Sequence, residues 1–125
     1  LISLISQTED PLKVVATAAR ICYSSLPLEK LLSSGSPSSD RALVKKVLEM
    51  GHLSVAEHAT ITLSVDGSFK EELFSILRDK PFLKVTEHSR GFIVSLNFRT
   101  AMELISEKPE LEFTKALSEF LPKLF

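Results

Sequence analysis

Between residues 60 and 65 the chain reads Thr60-Ile61-Thr62-Leu63-Ser64-Val65, the polar–apolar alternation of a half-buried strand. A strand of this kind needs β partners on its edges and an apolar layer against one face. Candidate partners exist on both sides. The opening run Leu1 to Ser6 is rich in branched residues, and Phe82 to Thr86 and Phe92 to Leu96 are two further β-type runs. The last two are separated by Glu87-His88-Ser89-Arg90-Gly91, which makes either a hairpin or two strands of one sheet.

Helical patterns supply the covering layer. Asp10 followed by Pro11 opens a helix in which Leu12, Val15, Ala19 and Cys22 recur at spacings of three and four, through about Tyr23. Residues 24–39 carry serines, two prolines and Gly35, and read as a mobile surface loop with one helical turn near Leu28 to Leu32. Asp40 is expected to cap a helix whose buried face is Leu43, Val44, Val47 and Leu48, with Gly51 as its left-handed C-terminal residue. Ser54 with Glu57, and Ser68 with Glu71, fit capping boxes. The first predicts a short helical turn. The second predicts a helix with Phe69, Leu73, Ile76 and Leu77 inside, closed before Pro81, after the turn at Asp66-Gly67. Asn97 is expected to cap a helix to about Glu107, and a last segment from Leu111 to Leu124 places Phe113, Leu117, Phe120, Leu121 and Leu124 on one side, with Pro122 distorting or terminating its final turn. Strands and helices mix without a regular βαβ alternation. This predicts an α+β fold with a small mixed or antiparallel sheet packed with helices, in a single domain spanning 1–125.

Composition narrows the function. A net charge of −1 with interspersed signs gives no sustained positive field, so nucleic acid is not an expected partner. No apolar run approaches the ~18 residues of a membrane span, and the N-terminal pattern is not that of a signal peptide, so the expectation is a soluble cytoplasmic protein. The lone Cys22, on the apolar side of its helix, reads as a buried structural residue. The histidines at 52, 58 and 88 have no zinc-ligand spacing, and no metal is expected.

Several segments, met in order, resemble the flavin-dependent thymidylate synthases, the ThyX family. Ala18-Ala19-Arg20-Ile21-Cys22-Tyr23-Ser24 resembles the family's first helix, and Met50 to Leu63 its glycine-histidine, glutamate-histidine block. Asp66-Gly67 matches the turn before its central helix, and Leu96-Asn97-Phe98-Arg99 its asparagine-any-arginine element. The family's Arg-His-Arg triplet is represented by Arg78-Asp79-Lys80, and its downstream serine-arginine by Ser89-Arg90. Pro81 to His88 replaces the family's glutamine- and serine-rich stretch, and the tens of residues that normally precede the asparagine-any-arginine element are absent.

The resemblance implies conversion of dUMP to dTMP with FAD and a methylene-carrying folate, at sites between subunits of a homotetramer. Carried over by position, it implies that His52, Ser54, Arg78, Lys80, Asn97 and Arg99 contact the flavin cofactor. Arg90 would approach the nucleotide phosphate, and Lys108 would stand where the family's catalytic arginine meets the uracil. Three phosphates demand several convergent cationic or backbone donors. With Asp79 in the triplet and lysines at two arginine positions, flavin binding is expected to be weakened and turnover very low or absent, and the alternatives are a non-catalytic flavin- or nucleotide-binding or assembly module and a different flavoenzyme. The same residues also have structural readings. His52 suits the last carbonyls of a helix, Arg78 and Lys80 a helix dipole, Asn97 an N-cap, Arg90 a hairpin charge, Asp79 a solvated surface and Glu57 a capping box.

Overall fold

The computed structural model describes residues 1–125. Strand β1 (Ile2–Gln7) leads into α1 (Pro11–Tyr23), α2 (Leu28–Ser33) and α3 (Pro37–Glu49). A 3-10 segment (Leu53–His58) precedes β2 (Thr60–Asp66), and a second (Gly67–Phe69) precedes α4 (Lys70–Asp79). The chain continues through β3 (Lys84–His88), β4 (Gly91–Asn97), α5 (Phe98–Glu107) and α6 (Glu112–Phe120). The four strands form one antiparallel sheet in the order β1-β2-β4-β3. The α+β expectation is met, and the β3–β4 run is the hairpin.

Alternation sets the two faces of the sheet. Ile61, Leu63 and Val65 stand opposite Leu96, Val94 and Phe92, and all six are buried against the helices. On the other face Thr62 and Ser95 share a hydroxyl hydrogen bond of 2.8 Å, while Thr60, Ile93, Lys84 and Thr86 are exposed. Gly91 pairs with Asp66 where β2 and β4 come closest, and a Cβ there would lie 2.2 Å from the Val65 carbonyl oxygen. Only glycine permits that approach.

The core is one contiguous cluster of 23 buried residues that joins the sheet to α1, α3, α4, α5 and α6. Leu73 and Ile76 of α4 are fully enclosed, as are Phe98 and Leu104 of α5 and Phe113 and Leu117 of α6. Leu73→Ala is expected to destabilise by about 2–5 kcal/mol, the range for core truncations. Leu48, only half-buried beside the enclosed Val44 and Val47, should cost less. Denaturant midpoints of the two variants check that order.

Several local expectations hold. The Asp10 carboxylate accepts from the Lys13 N–H, Gly51 has φ 84°, and α6 stops before Pro122. Others are corrected. Helix α3 starts earlier than Asp40, capped by Ser36 in a reciprocal box with Ser39, so residues 24–39 hold a six-residue helix and the first turn of α3. Asp40 instead lies inside α3 and binds Arg20 of α1 at 2.7 Å, with only 16% and 11% of the two side chains exposed. Ser68 does not cap α4. Its N–H is taken by Asp66, whose carboxyl is held below its ordinary value chiefly by that hydrogen bond. Cys22 is exposed rather than buried, because the last turn of α1 overhangs the core that encloses Val15, Ala16 and Ala19. The N-terminus of α6 has no cap of its own; Glu72 of α4 accepts from the Glu112 and Phe113 N–H groups at 3.3 and 2.8 Å.

Candidate functional site

The 3-10 segment 53–58 packs between α1 and α5, pinned by the buried Val55 and Ala56. The chain enters it through Gly51, and the His52 N–H donates to the Val47 carbonyl at 3.1 Å. The backbone of His52, not its ring, therefore serves the end of α3. The exposed ring meets Tyr23 of α1, with the Tyr23 hydroxyl hydrogen-bonded to His52 Nδ1 and the ring planes 16° apart. Ser54 lines a shallow opening of about 390 Å³ with Ala18, Ile21, Cys22, Val55 and His58. The predicted Ser54–Glu57 capping box does not form, since the segment is a 3-10 helix without a side-chain cap and Glu57 is engaged elsewhere.

At the start of α5, the Asn97 side chain accepts from the Thr100 N–H at 2.9 Å and caps the helix. Arg99 Nη1 binds Glu57 Oε2 at 2.8 Å, and Arg99 Nε reaches Glu103 at 3.8 Å. Glu103 also faces Lys80 Nζ at 3.4 Å, and Lys80 binds Glu107 at 2.6 Å. Arg99, Glu103 and Glu107 are four residues apart, on one face of α5. A continuous chain of charge thus runs from Glu57 through Arg99, Glu103 and Lys80 to Glu107. The Glu107 hydrogen bond, first among its causes, raises the Lys80 ammonium above its ordinary value, and Glu57 does the same for the Arg99 guanidinium. Lys108 binds Asp79 at 3.2 Å, and the Asp79 side chain remains on the solvated surface.

The predicted residues fall into three places. His52, Ser54, Asn97 and Arg99 gather around the 3-10 segment. Lys80 and Lys108, with the exposed Arg78, mark the corner where α4 and α5 end, joined to the first group through Glu103. Arg90 stands apart in the β3–β4 turn, where its carbonyl accepts from the Gly67 N–H at 3.2 Å. β4 separates it from Asn97, roughly 20 Å at the rise of an antiparallel strand. In the ion-pair cluster three cations (Arg99, Lys80, Lys108) meet four carboxylates (Glu57, Glu103, Glu107, Asp79), so it has no positive surplus.

Sequence reasoning missed the partners more than the cations. The four-residue spacing of Arg99, Glu103 and Glu107 was a readable signal, whereas nothing local announces that Glu57 meets Arg99 or that Tyr23 meets His52. A groove of about 500 Å³ on the open sheet face, lined by Glu57, Thr60, Thr62, Phe82, Lys84, Ser95, Leu96 and Asn97, contains only one cation.

This arrangement of sheet and helices is shared with solved flavin-dependent enzymes. Thymidylate Synthase X from Helicobacter pylori, crystallised with FAD and dUMP, superposes with a TM-score of 0.63 over 99% of this chain and 94% of that one. At 15% identity, that likeness establishes the fold. The sequence model of the family described as thymidylate synthase complementing protein matches residues 3–92, and the chain belongs to that family. The flavin-dependent thymidylate synthase of Geobacter sulfurreducens is 35% identical over 79 residues, covering 63% of this chain and 34% of the relative. That of Pyrococcus horikoshii is 31% identical over 96 residues, covering 74% and 37%. That of Thermococcus kodakarensis is 29% identical over 116 residues, covering 88% and 46%. The chain therefore spans a third to just under half of the length of these relatives.

Proposed function

We propose that this chain is a family member that keeps the fold, binds flavin and nucleotide weakly, and converts dUMP to dTMP very slowly or not at all. One observation carries the reading: three of the cations that the resemblance assigns to cofactor and substrate, Lys80, Arg99 and Lys108, are already paired with carboxylates of the same chain. The FAD and dUMP held by the Helicobacter pylori relative present three phosphates in all, and within one copy the free Arg78 and Arg90 lie at separate places. The residues of one copy therefore do not fit FAD. Lys108, the residue assigned to uracil, is held by Asp79.

Weak binding is proposed for a soluble cytoplasmic homo-oligomer, a tetramer by resemblance, in which neighbouring copies add donors around the 3-10 segment. The folate is proposed on the same ground. Large exposed apolar side chains from the end of α1 through α2 (Ile21, Tyr23, Leu26, Leu28, Leu32) support self-association. Light scattering at micromolar concentration is expected to show an oligomer, and a clean monomer throughout would reject this part of the reading.

The neutralisation itself has a direct test. Changing Glu103 and Glu107 together to glutamine releases Lys80 and removes one partner of Arg99. Two fewer carboxylates at about 6 Å from a bound phosphate should tighten FAD by roughly tenfold when water screens them as it does in bulk. Flavin fluorescence titration of the variant against the parent checks this. Equal or weaker affinity in the folded variant would mean that the carboxylates do not set the anion affinity.

A further inference from the structure

The ring of His52 is held in a definite way by Tyr23, a residue with no role in the site set out above. The two side chains come from different elements. Tyr23 closes α1, and His52 follows α3 and leads into the 3-10 segment. Ring planes 16° apart and centroids 6.1 Å apart, with the phenol oxygen against Nδ1, describe rings laid end to edge in nearly one plane rather than stacked face to face. In that arrangement the in-plane lone pair of Nδ1 faces the Tyr23 hydroxyl oxygen.

A phenol is a good donor and a poor acceptor, whereas an unprotonated imidazole nitrogen is a good acceptor, so the favourable assignment has Tyr23 donating to Nδ1. The imidazole proton then sits on Nε2. We infer that Tyr23 is a positioning residue that fixes His52 as its Nε2–H tautomer, so that the ring offers a ligand a hydrogen-bond donor. The complementary ligand atom is an acceptor: a carbonyl oxygen, an unprotonated ring nitrogen or a phosphate oxygen. The use of that donor rests on the proposal that His52 faces flavin or nucleotide; the tautomer does not.

The test uses the whole chain with 15N-labelled histidine, in Tyr23→Phe and the parent, at a pH where imidazole is neutral. In the parent, long-range proton–nitrogen spectra should show His52 Nδ1 unprotonated and Nε2 protonated, with a Tyr23 hydroxyl proton correlated to Nδ1. In Tyr23→Phe that correlation should vanish and the two nitrogen shifts should move toward each other as the tautomers mix. Phenylalanine keeps the ring, so an unchanged denaturant midpoint should accompany the change, and a loss of histidine dispersion throughout would expose an unfolded variant. His58→Gln, which leaves Tyr23 and His52 in place and removes a neighbouring histidine signal, should retain the Tyr23–Nδ1 correlation if the variant chosen for assignment is folded. A protonated Nδ1 in the parent, or nitrogen shifts indifferent to Tyr23→Phe, would overturn the inference. Titration with FAD separates it from the functional reading: no binding to the parent sinks that reading while the tautomer result stands.

Discussion

Supplied with dUMP, methylene-tetrahydrofolate, FAD and a reduced nicotinamide cofactor, the purified chain is expected to form dTMP hundreds-fold or more slowly than a fully equipped family enzyme. A charge-assisted donor contributes on the order of 1.5–3 kcal/mol, so two missing phosphate or uracil contacts account for a loss of that size. The structure adds a second cause to the altered motif. Lys80 stands within 3.4 Å of two carboxylates, Arg99 is bound to Glu57, and Lys108 is bound to Asp79, so an arriving phosphate must displace partners already in place. Asp79 itself adds a negative charge to the triplet. The measurement is dTMP formed per mole of chain. Robust turnover that disappears in Arg90→Ala would refute the low-activity reading, and would also require a partner copy to bring the isolated Arg90 to the site.

Asp40→Ala is expected to destabilise the chain by about 3–5 kcal/mol, enough to threaten folding in a marginally stable domain. The substitution removes the carboxylate that faces Arg20 at 2.7 Å and leaves a largely buried guanidinium without a counter-charge. The backbone confirms how closely this corner is fitted. Gly35 has φ +85°, and a Cβ there would lie 2.6 Å from both Arg20 Nη2 and Asp40 Oδ1, so Gly35→Ala should also weaken the pair. Replacing both charged partners by apolar residues of similar size should recover much of the loss, because no unpaired charge then remains. Urea unfolding of the single and double replacements gives the coupling. A single Asp40→Ala within a few tenths of a kcal/mol of the parent would show that solvent reaches Arg20 well enough to replace the pair.

Periodicity made most of the fold legible. The alternation of Thr60 to Val65 identified the central β2 strand and its buried face, and helical spacing located the inner sides of α1, α3, α4 and α6. Asp10, Gly51 and Asn97 were readable because capping is local chemistry, decided within three or four residues. Where two local solutions competed, the reading failed. Asp40 and Ser36 are both good caps, and only the presence of Arg20 on the neighbouring helix assigns Asp40 to an ion pair and leaves the cap to Ser36. Cys22 has the spacing of a core residue, but spacing does not say where the neighbouring layer stops.

Sequence by itself determined the α+β class, the order of most strands and helices and, through its ordered motifs, the family. Those properties rest on residues close together in the chain. Tertiary structure alone decided the charge balance of the candidate site. Glu57 lies 42 residues from Arg99 and Lys80 lies 27 from Glu107, distances over which no periodic pattern carries information. Side chains that far apart meet only because β2 pairs with β4 and α5 folds back beside the 3-10 segment and the end of α4. Whether a cation is free to hold a phosphate depends on those meetings, since a paired charge must first give up its partner to an incoming anion.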